Sequence, residues 1–326
     1  MGTIFALIFL MLNLGYIKSK HLLQRTIREK VECIGVGLHT GEKVRVVFYP
    51  KEVDYGIRFK VVSKDRTLYI DPSPFSVVDT SYATCIGSEG VKLCTVEHVL
   101  GVIRGLSIDN LLIEVYGSEM PIMDGSGICF VKLFKKVGIV ELPKYKRFFA
   151  IKRPFLYKEG KNRWIKVYPY RGFKVKYTIM YDHPLIKTQE FVYEGEEEDF
   201  IREIAGARTF GFLKEVDILK QKGLIKGGSL ENAVVFDQNS VLNKDGFRFK
   251  DEPVRHKILD FIGDISLIKY PLIGYFEVFC SGHSLNNLFL RVLYEKKEEL
   301  LSYIDLNQKR YKILFERFKQ PLLNVI

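Results

Sequence analysis

Two stretches of this chain carry apolar residues at helical spacing next to side chains that can do chemistry. After Pro253, the apolar positions Ile258, Phe261, Ile262, Ile265 and Ile268 recur every three or four residues, which predicts a helix. Positions four apart on a helix are offset by about 40°. His256, Asp260 and Asp264 therefore form one polar ridge, roughly opposite the apolar stripe. Alone, such a ridge reads as a solvated helix face. The second stretch has Val96, Val99, Leu100 and Ile103 at i, i+3, i+4, i+7, with Thr95 at the N-cap position and Gly105 as the stop. Glu97 falls in the first turn, where the helix dipole favours negative charge, and His98 lies at the edge of the stripe.

Strand patterns surround these helices. Alternating or β-rich runs predict strands at 44–50, 56–62, 67–70 and 111–117, then at 148–157, 163–170, 173–181, 189–195, 233–237 and 275–280. Blocks of strands followed by helices predict an α+β fold rather than alternating βαβ units. A join near Pro143-Lys144 separates an expected first domain, 20–143, from a second, 144–300. Residues 1–19 form an N-terminal extension, and 301–326 read as a helical tail.

A catalytic zinc commonly has three protein ligands and an open fourth position, with a Glu nearby to take a proton from water. His98, His256, Asp260 and the spare Glu97 match that inventory. His283 follows Ser281-Gly282 at the end of a strand-like run, a junction from which functional side chains often project. A carboxylate such as Asp264 would hold its imidazole charged.

Composition narrows the class. Fifty Lys and Arg against 39 Asp and Glu give a net charge of +11, which favours an anionic partner. Zinc-finger spacing, RNA-recognition aromatics and a concentrated basic block are all missing, so nucleic acid is not the expected partner. Five cysteines without a C-x-x-C pair argue against a disulfide framework and for a reducing cytoplasm. The apolar run 4–14 is too short to span a bilayer, which needs about 20 residues. It reads either as an upstream start, with Met11 as an alternative, or as a membrane-touching segment. Gly227-Gly228 lacks the Lys-Ser/Thr that a phosphate loop would need.

Eight segments in order resemble the UDP-3-O-acyl-N-acetylglucosamine deacetylase family, zinc amidohydrolases of lipid A biosynthesis. They are VGLHTG (36–41), TVEHVL (95–100), IDN (108–110), PIMDGSG (121–127), ARTFGF (207–212), KGGSLENAVVFD (226–237), DEPVRHKILDFIGD (251–264) and SGHSLNN (281–287). The resemblance implies two similar sheet-plus-two-helices domains packed face to face, with the active site between them. It implies Zn²⁺ held by His98, His256 and Asp260, with Glu97 as general base. His283 is then the acid that also faces the oxyanion, oriented by Asp264, while Thr209 hydrogen-bonds near the reacting carbonyl. Lys257 and Phe210 match positions lining the substrate site.

The implied reaction releases acetate from UDP-3-O-acyl-N-acetylglucosamine; a zinc amidase for another acylated amino sugar is the alternative. The implied protein is a cytoplasmic monomer, with peripheral contact at the inner membrane surface left open. Leu213, Ile218, Leu224 and Ile225 read as core from their pattern alone, whereas the resemblance implies an insert lining a passage for the acyl chain. His39 reads as a structural histidine or a non-catalytic metal contact.

Overall fold

The computed structural model describes residues 21–63 and 66–308. The expected 1–19 extension and the tail beyond 308 lie outside the described residues. The first half runs β1 (Leu23–Ile27), β2 (Val31–Val36), β3 (Lys43–Pro50), β4 (Ile57–Val62), β5 (Thr67–Ile70), β6 (Val77–Asp79), β7 (Cys85–Ser88), β8 (Val91–Leu93), α1 (Glu97–Gly105), β9 (Leu111–Tyr116), α2 (Ile128–Val137) and β10 (Ile139–Tyr145). The second runs β11 (Arg147–Ile151), β12 (Phe155–Glu159), β13 (Arg163–Tyr168), β14 (Phe173–Tyr181), β15 (Lys187–Tyr193), β16 (Phe210–Phe212), α3 (Leu213–Gln221), β17 (Val234–Phe236), α4 (Glu252–Ile265), β18 (Leu272–Phe279), α5 (His283–Glu295) and β19 (Leu301–Asp305).

The fold is α+β, and its two main sheets follow one plan. In the first, the strand order is β2-β3-β9-β4-β5, and only the β9/β4 junction is parallel. In the second, β12-β13-β18-β14-β15 repeats that order, with β18/β14 as its parallel junction. Alternation places one side of each sheet in the core. On β14, Val175, Tyr177 and Ile179 are buried while Lys174, Lys176 and Thr178 between them are less so.

The helices pack against these faces, and α1 lies directly on α4. Two glycines make this contact unusually close. A Cβ at Gly263 would fall 2.0 Å from the Glu97 carbonyl oxygen, and one at Gly101 would fall 2.8 Å from that of Leu259. Only residues without a side chain allow two helix backbones to approach this far. The polar ridge of α4 is consequently not solvated: His256, Asp260 and Asp264 are all buried.

Several expectations need correction. Thr95 does not cap α1; its backbone is left-handed (φ 58°) and its hydroxyl donates to Oε1 of the buried Glu119 at 2.9 Å. The single strand expected at 148–157 is two strands, β11 and β12, parted at Pro154, which cannot donate to a ladder. Pro143 and Lys144 lie near the end of β10, which pairs with β1, and β11 begins at Arg147. Residues 301–305 are a strand paired with β11, so no helical tail starts at 301. Leu213 and Ile218 are 45% and 53% exposed and so are not core.

Contrary to the reading of the cysteine pattern, Cys85 and Cys94 form a disulfide. The antiparallel register that pairs Ile86 with Leu93 sets the two residues opposite each other, a proximity that linear spacing does not reveal. Among the described residues, no helix is long and apolar enough to cross a membrane.

The glycine contact yields a direct test. Gly263→Ala should destabilise the fold by roughly 1–3 kcal/mol through overpacking and weaken divalent-metal binding as α1 and α4 separate. Urea titration and a metal-binding isotherm read the two effects; parental values in both would show that the close approach is not required.

Candidate active site

The α1/α4 contact brings side chains from the two halves of the chain to one point. Candidate ligand atoms of His98, His256 and Asp260 all lie within 4.8 Å of one another, and all three residues are buried. The Nε2 atoms of His256 and His98 stand 3.2 and 3.5 Å from Oδ1 of Asp260. Nδ1 of His256 lies 3.0 Å from the Ala207 carbonyl oxygen. A carbonyl only accepts, so Nδ1 carries a proton and Nε2 is the atom turned towards Asp260.

Oδ1 of Asp260 is buried and receives no hydrogen bond. A buried carboxylate oxygen without a donor is costly. A cation at the centre of these three ligands would satisfy it, and two imidazoles with one carboxylate are a donor set suited to Zn²⁺. Residue charges already point the same way. Burial opposes ionisation of Asp260, but His256 and Lys257 outweigh it and hold its pKa well below the usual carboxylate range. Burial lowers the pKa of His98, favouring the neutral ring that a metal requires.

Two proton-active groups flank the triad. Glu97 is buried, and its Oε2 accepts from the Thr84 backbone N–H at 3.0 Å. Burial, reinforced by Asp260 and Asp264, pushes its pKa up to about 8. His283 is the first residue of α5 rather than part of a loop, and its Nδ1 stands 3.0 Å from Oδ2 of Asp264. Burial alone would depress this histidine, but the Asp264 carboxylate prevails and its pKa rises to about 9. Burial thus makes the Glu97 carboxylate more basic while Asp264 keeps His283 protonated, the traits of a general base and a general acid.

Asp264 is itself held on both oxygens. Oδ1 accepts from the Thr84 hydroxyl at 2.5 Å, and Oδ2 from Nδ2 of Asn286 at 2.8 Å. The amide of Asn286 is oriented in turn by the Ser281 hydroxyl, 2.6 Å from its Oδ1. Sequence reasoning missed all three supports. Ser281 and Asn286 lie inside the SGHSLNN segment, with Asn286 one helical turn after His283, so periodicity could have suggested them. Nothing in the sequence marked Thr84.

The remaining predicted residues lie around this centre. Lys257 donates to Oδ2 of Asp260 at 2.8 Å, and its Nζ is 5.8 Å from the centre of the Phe210 ring. Thr209 stands on the loop leading into β16, two residues after the Ala207 carbonyl that orients His256; its N–H donates to the Gly125 carbonyl at 2.7 Å. Both ring nitrogens of His39 are buried without a hydrogen bond, its ring centroid lies 6.3 Å from that of Tyr82, and it is outside the group that could hold a metal. A cavity of about 560 Å³ opens at the opposite end of the two helices, where Ile103, Arg104 and Leu267 line it. It contains none of the triad, and the buried ligand geometry is the better guide to chemistry.

The profile of the family described as UDP-3-O-acyl N-acetylglycosamine deacetylase (LpxC) matches residues 24–295. The chain belongs to this family. It is 47% identical to the UDP-3-O-acyl-N-acetylglucosamine deacetylase of Oleidesulfovibrio alaskensis over 285 residues, covering 87% of this chain and 93% of that protein. Similar relatives are the enzymes of the same name from Nitratidesulfovibrio vulgaris, 48% identical over 87% of this chain and 91% of the relative, and Lawsonia intracellularis, 43% identical over 92% and 97%. In this family member, TVEHVL and DEPVRHKILDFIGD supply the two sides of the α1/α4 contact.

The triad predicts a stoichiometry. The purified chain should bind one Zn²⁺ per molecule, and His256→Ala or Asp260→Ala should bring binding below stoichiometric. His283→Ala should leave it at one. Metal analysis after dialysis checks this; a stoichiometric Asp260→Ala variant would remove Asp260 from the ligand set.

Proposed function

We propose that this protein hydrolyses the acetamide of UDP-3-O-acyl-N-acetylglucosamine, releasing acetate and UDP-3-O-acyl-glucosamine, the committed step of lipid A biosynthesis. The observation that carries the reading is the buried, donorless Oδ1 of Asp260 facing two imidazoles, with Glu97 and the His283–Asp264 pair beside it. The family's name supplies the substrate class. The proposed metal is Zn²⁺, with His98, His256 and Asp260 as its ligands. Bound there, it would polarise the amide carbonyl and acidify water, the two things an unreactive amide most needs.

The chain's own residues complete the chemistry. Glu97, kept out of bulk water and made more basic by burial, takes the proton of the attacking water. Charge then grows on the former carbonyl oxygen, where the cationic His283 and the Thr209 hydroxyl meet it. The amide nitrogen becomes a leaving group only once protonated. His283 donates that proton from Nε2, because Nδ1 is engaged with Asp264. Asp264 holds the ring in one orientation, as in other histidine–carboxylate pairs. Lys257 and Phe210 line the substrate site. The exposed Leu213 and Ile218 of α3 offer an apolar wall for the acyl chain. The two halves are domains packed face to face with the active site between them, and a nucleotide-sugar substrate fits a cytoplasmic monomer with peripheral contact at the inner membrane surface.

Two outcomes test the roles. Glu97→Gln should lower kcat by about 10²–10⁴-fold while one metal per chain is retained; loss of metal instead would make Glu97 a ligand. In pH profiles of acetate release, activity should fall as pH rises through about 9, where His283 loses its proton. The Asp264 charge is what raises that pKa, so Asp264→Asn should move this limb to lower pH. An unmoved limb would mean that another group supplies the proton.

A further inference from the structure

Thr84 uses all three of its polar groups to join the elements that carry the two proton-active residues. Its backbone N–H donates to Oε2 of Glu97 at 3.0 Å, and its carbonyl accepts from the N–H of Val96, at the start of α1, at 3.3 Å. Its hydroxyl donates to Oδ1 of Asp264, on α4, at 2.5 Å. The residue is only 2% exposed, so water does not compete for these bonds. Its place is set from behind by β7, which starts at the next residue and pairs with β6 and β8.

The hydroxyl bond has a consequence for His283. His283 and Asn286 share Oδ2 of Asp264, while among the described residues Thr84 is the side-chain donor to Oδ1. With both oxygens tied, the carboxylate cannot turn about its Cβ–Cγ bond. With Oδ1 released, only the two contacts at Oδ2 oppose that rotation, and the alignment of Oδ2 with Nδ1 loosens. We infer that Thr84 is a positioning residue: its hydroxyl fixes the plane of the Asp264 carboxylate, and through it the His283 ring, while its backbone holds Glu97. This rests on the reading of His283 as the acid of the deacetylase. Thr84 touches no reacting atom itself.

The test separates the hydroxyl from the backbone. Thr84→Val keeps the shape and the backbone contacts but removes the donor to Asp264; Thr84→Ser keeps the donor. In the zinc-loaded enzyme, Thr84→Val should lower kcat about ten- to a hundredfold, the scale of a lost hydrogen bond to a charged group. KM and bound metal should stay at parental values, and Thr84→Ser should remain within about threefold of the parent. On a His283→Ala background, Thr84→Val should change the rate by less than about twofold, because the two residues act in one chain.

Parental kcat in Thr84→Val, equal damage in Thr84→Ser, or a full loss added to that of His283→Ala would each overturn the inference. Should Thr84→Val melt too early to assay, Thr84→Ala carries the same expectation and parental kcat the same refutation. A zinc-loaded parent that releases no acetate from the UDP-linked substrate would overturn the deacetylase reading and this inference together. An active parent matched by Thr84→Val overturns the inference alone.

Discussion

The backbone contact between α1 and α4 is the constraint on which the rest of the site depends. His98 belongs to the first half of the chain, and His256 and Asp260 to the second, so no local segment can assemble the triad. Gly101 and Gly263 let the two helices meet at a distance that a single methyl group would prevent. The two sheets, each with the same strand order, act as the platforms that present these helices. Burial of the triad follows from that geometry, because the polar ridge of α4 is covered by the starts of α1 and α5.

Burial in turn sets the chemistry. Glu97 and His283 are both enclosed, yet burial has opposite consequences for them. For Glu97 it disfavours the carboxylate and raises the pKa to about 8. For His283 it disfavours the imidazolium, and the neighbouring Asp264 more than compensates, raising the pKa to about 9. A carboxyl group and an imidazole of similar acidity thus stand next to three residues that could hold a metal. Asp264 can serve in this way because Thr84 and Asn286 donate to its two oxygens. The His283–Asp264 pair therefore depends on residues from a first-half loop as well as from α5.

Much of this was legible in the sequence, for identifiable reasons. The helices showed themselves because their apolar positions recur at 3.6-residue spacing, and the i, i+4 relation of His256 to Asp260 is a local property. The convergence of TVEHVL with RHKILD is not local, and it entered the reading through family resemblance. Burial of the α4 ridge escaped because periodicity records one apolar face and says nothing of what covers the opposite one. The Cys85–Cys94 pair escaped because strand register, not spacing, sets it. Thr95 resembled a helix cap, but the buried Glu119 claims its hydroxyl instead. Thr84 gave no signal at all, since its role arises wholly from contacts distant in sequence.

The claim that matters most is that one ion is bound by two imidazoles and one carboxylate drawn from both halves. X-ray absorption at the zinc edge of the loaded, substrate-free protein tests it most directly. The account predicts a first shell of nitrogen and oxygen only, at roughly 2.0–2.2 Å, with the multiple-scattering signature of two histidines. That signature should fall to one histidine in His98→Ala. A sulfur scatterer near roughly 2.3 Å, or a shell unchanged by His98→Ala, would contradict it.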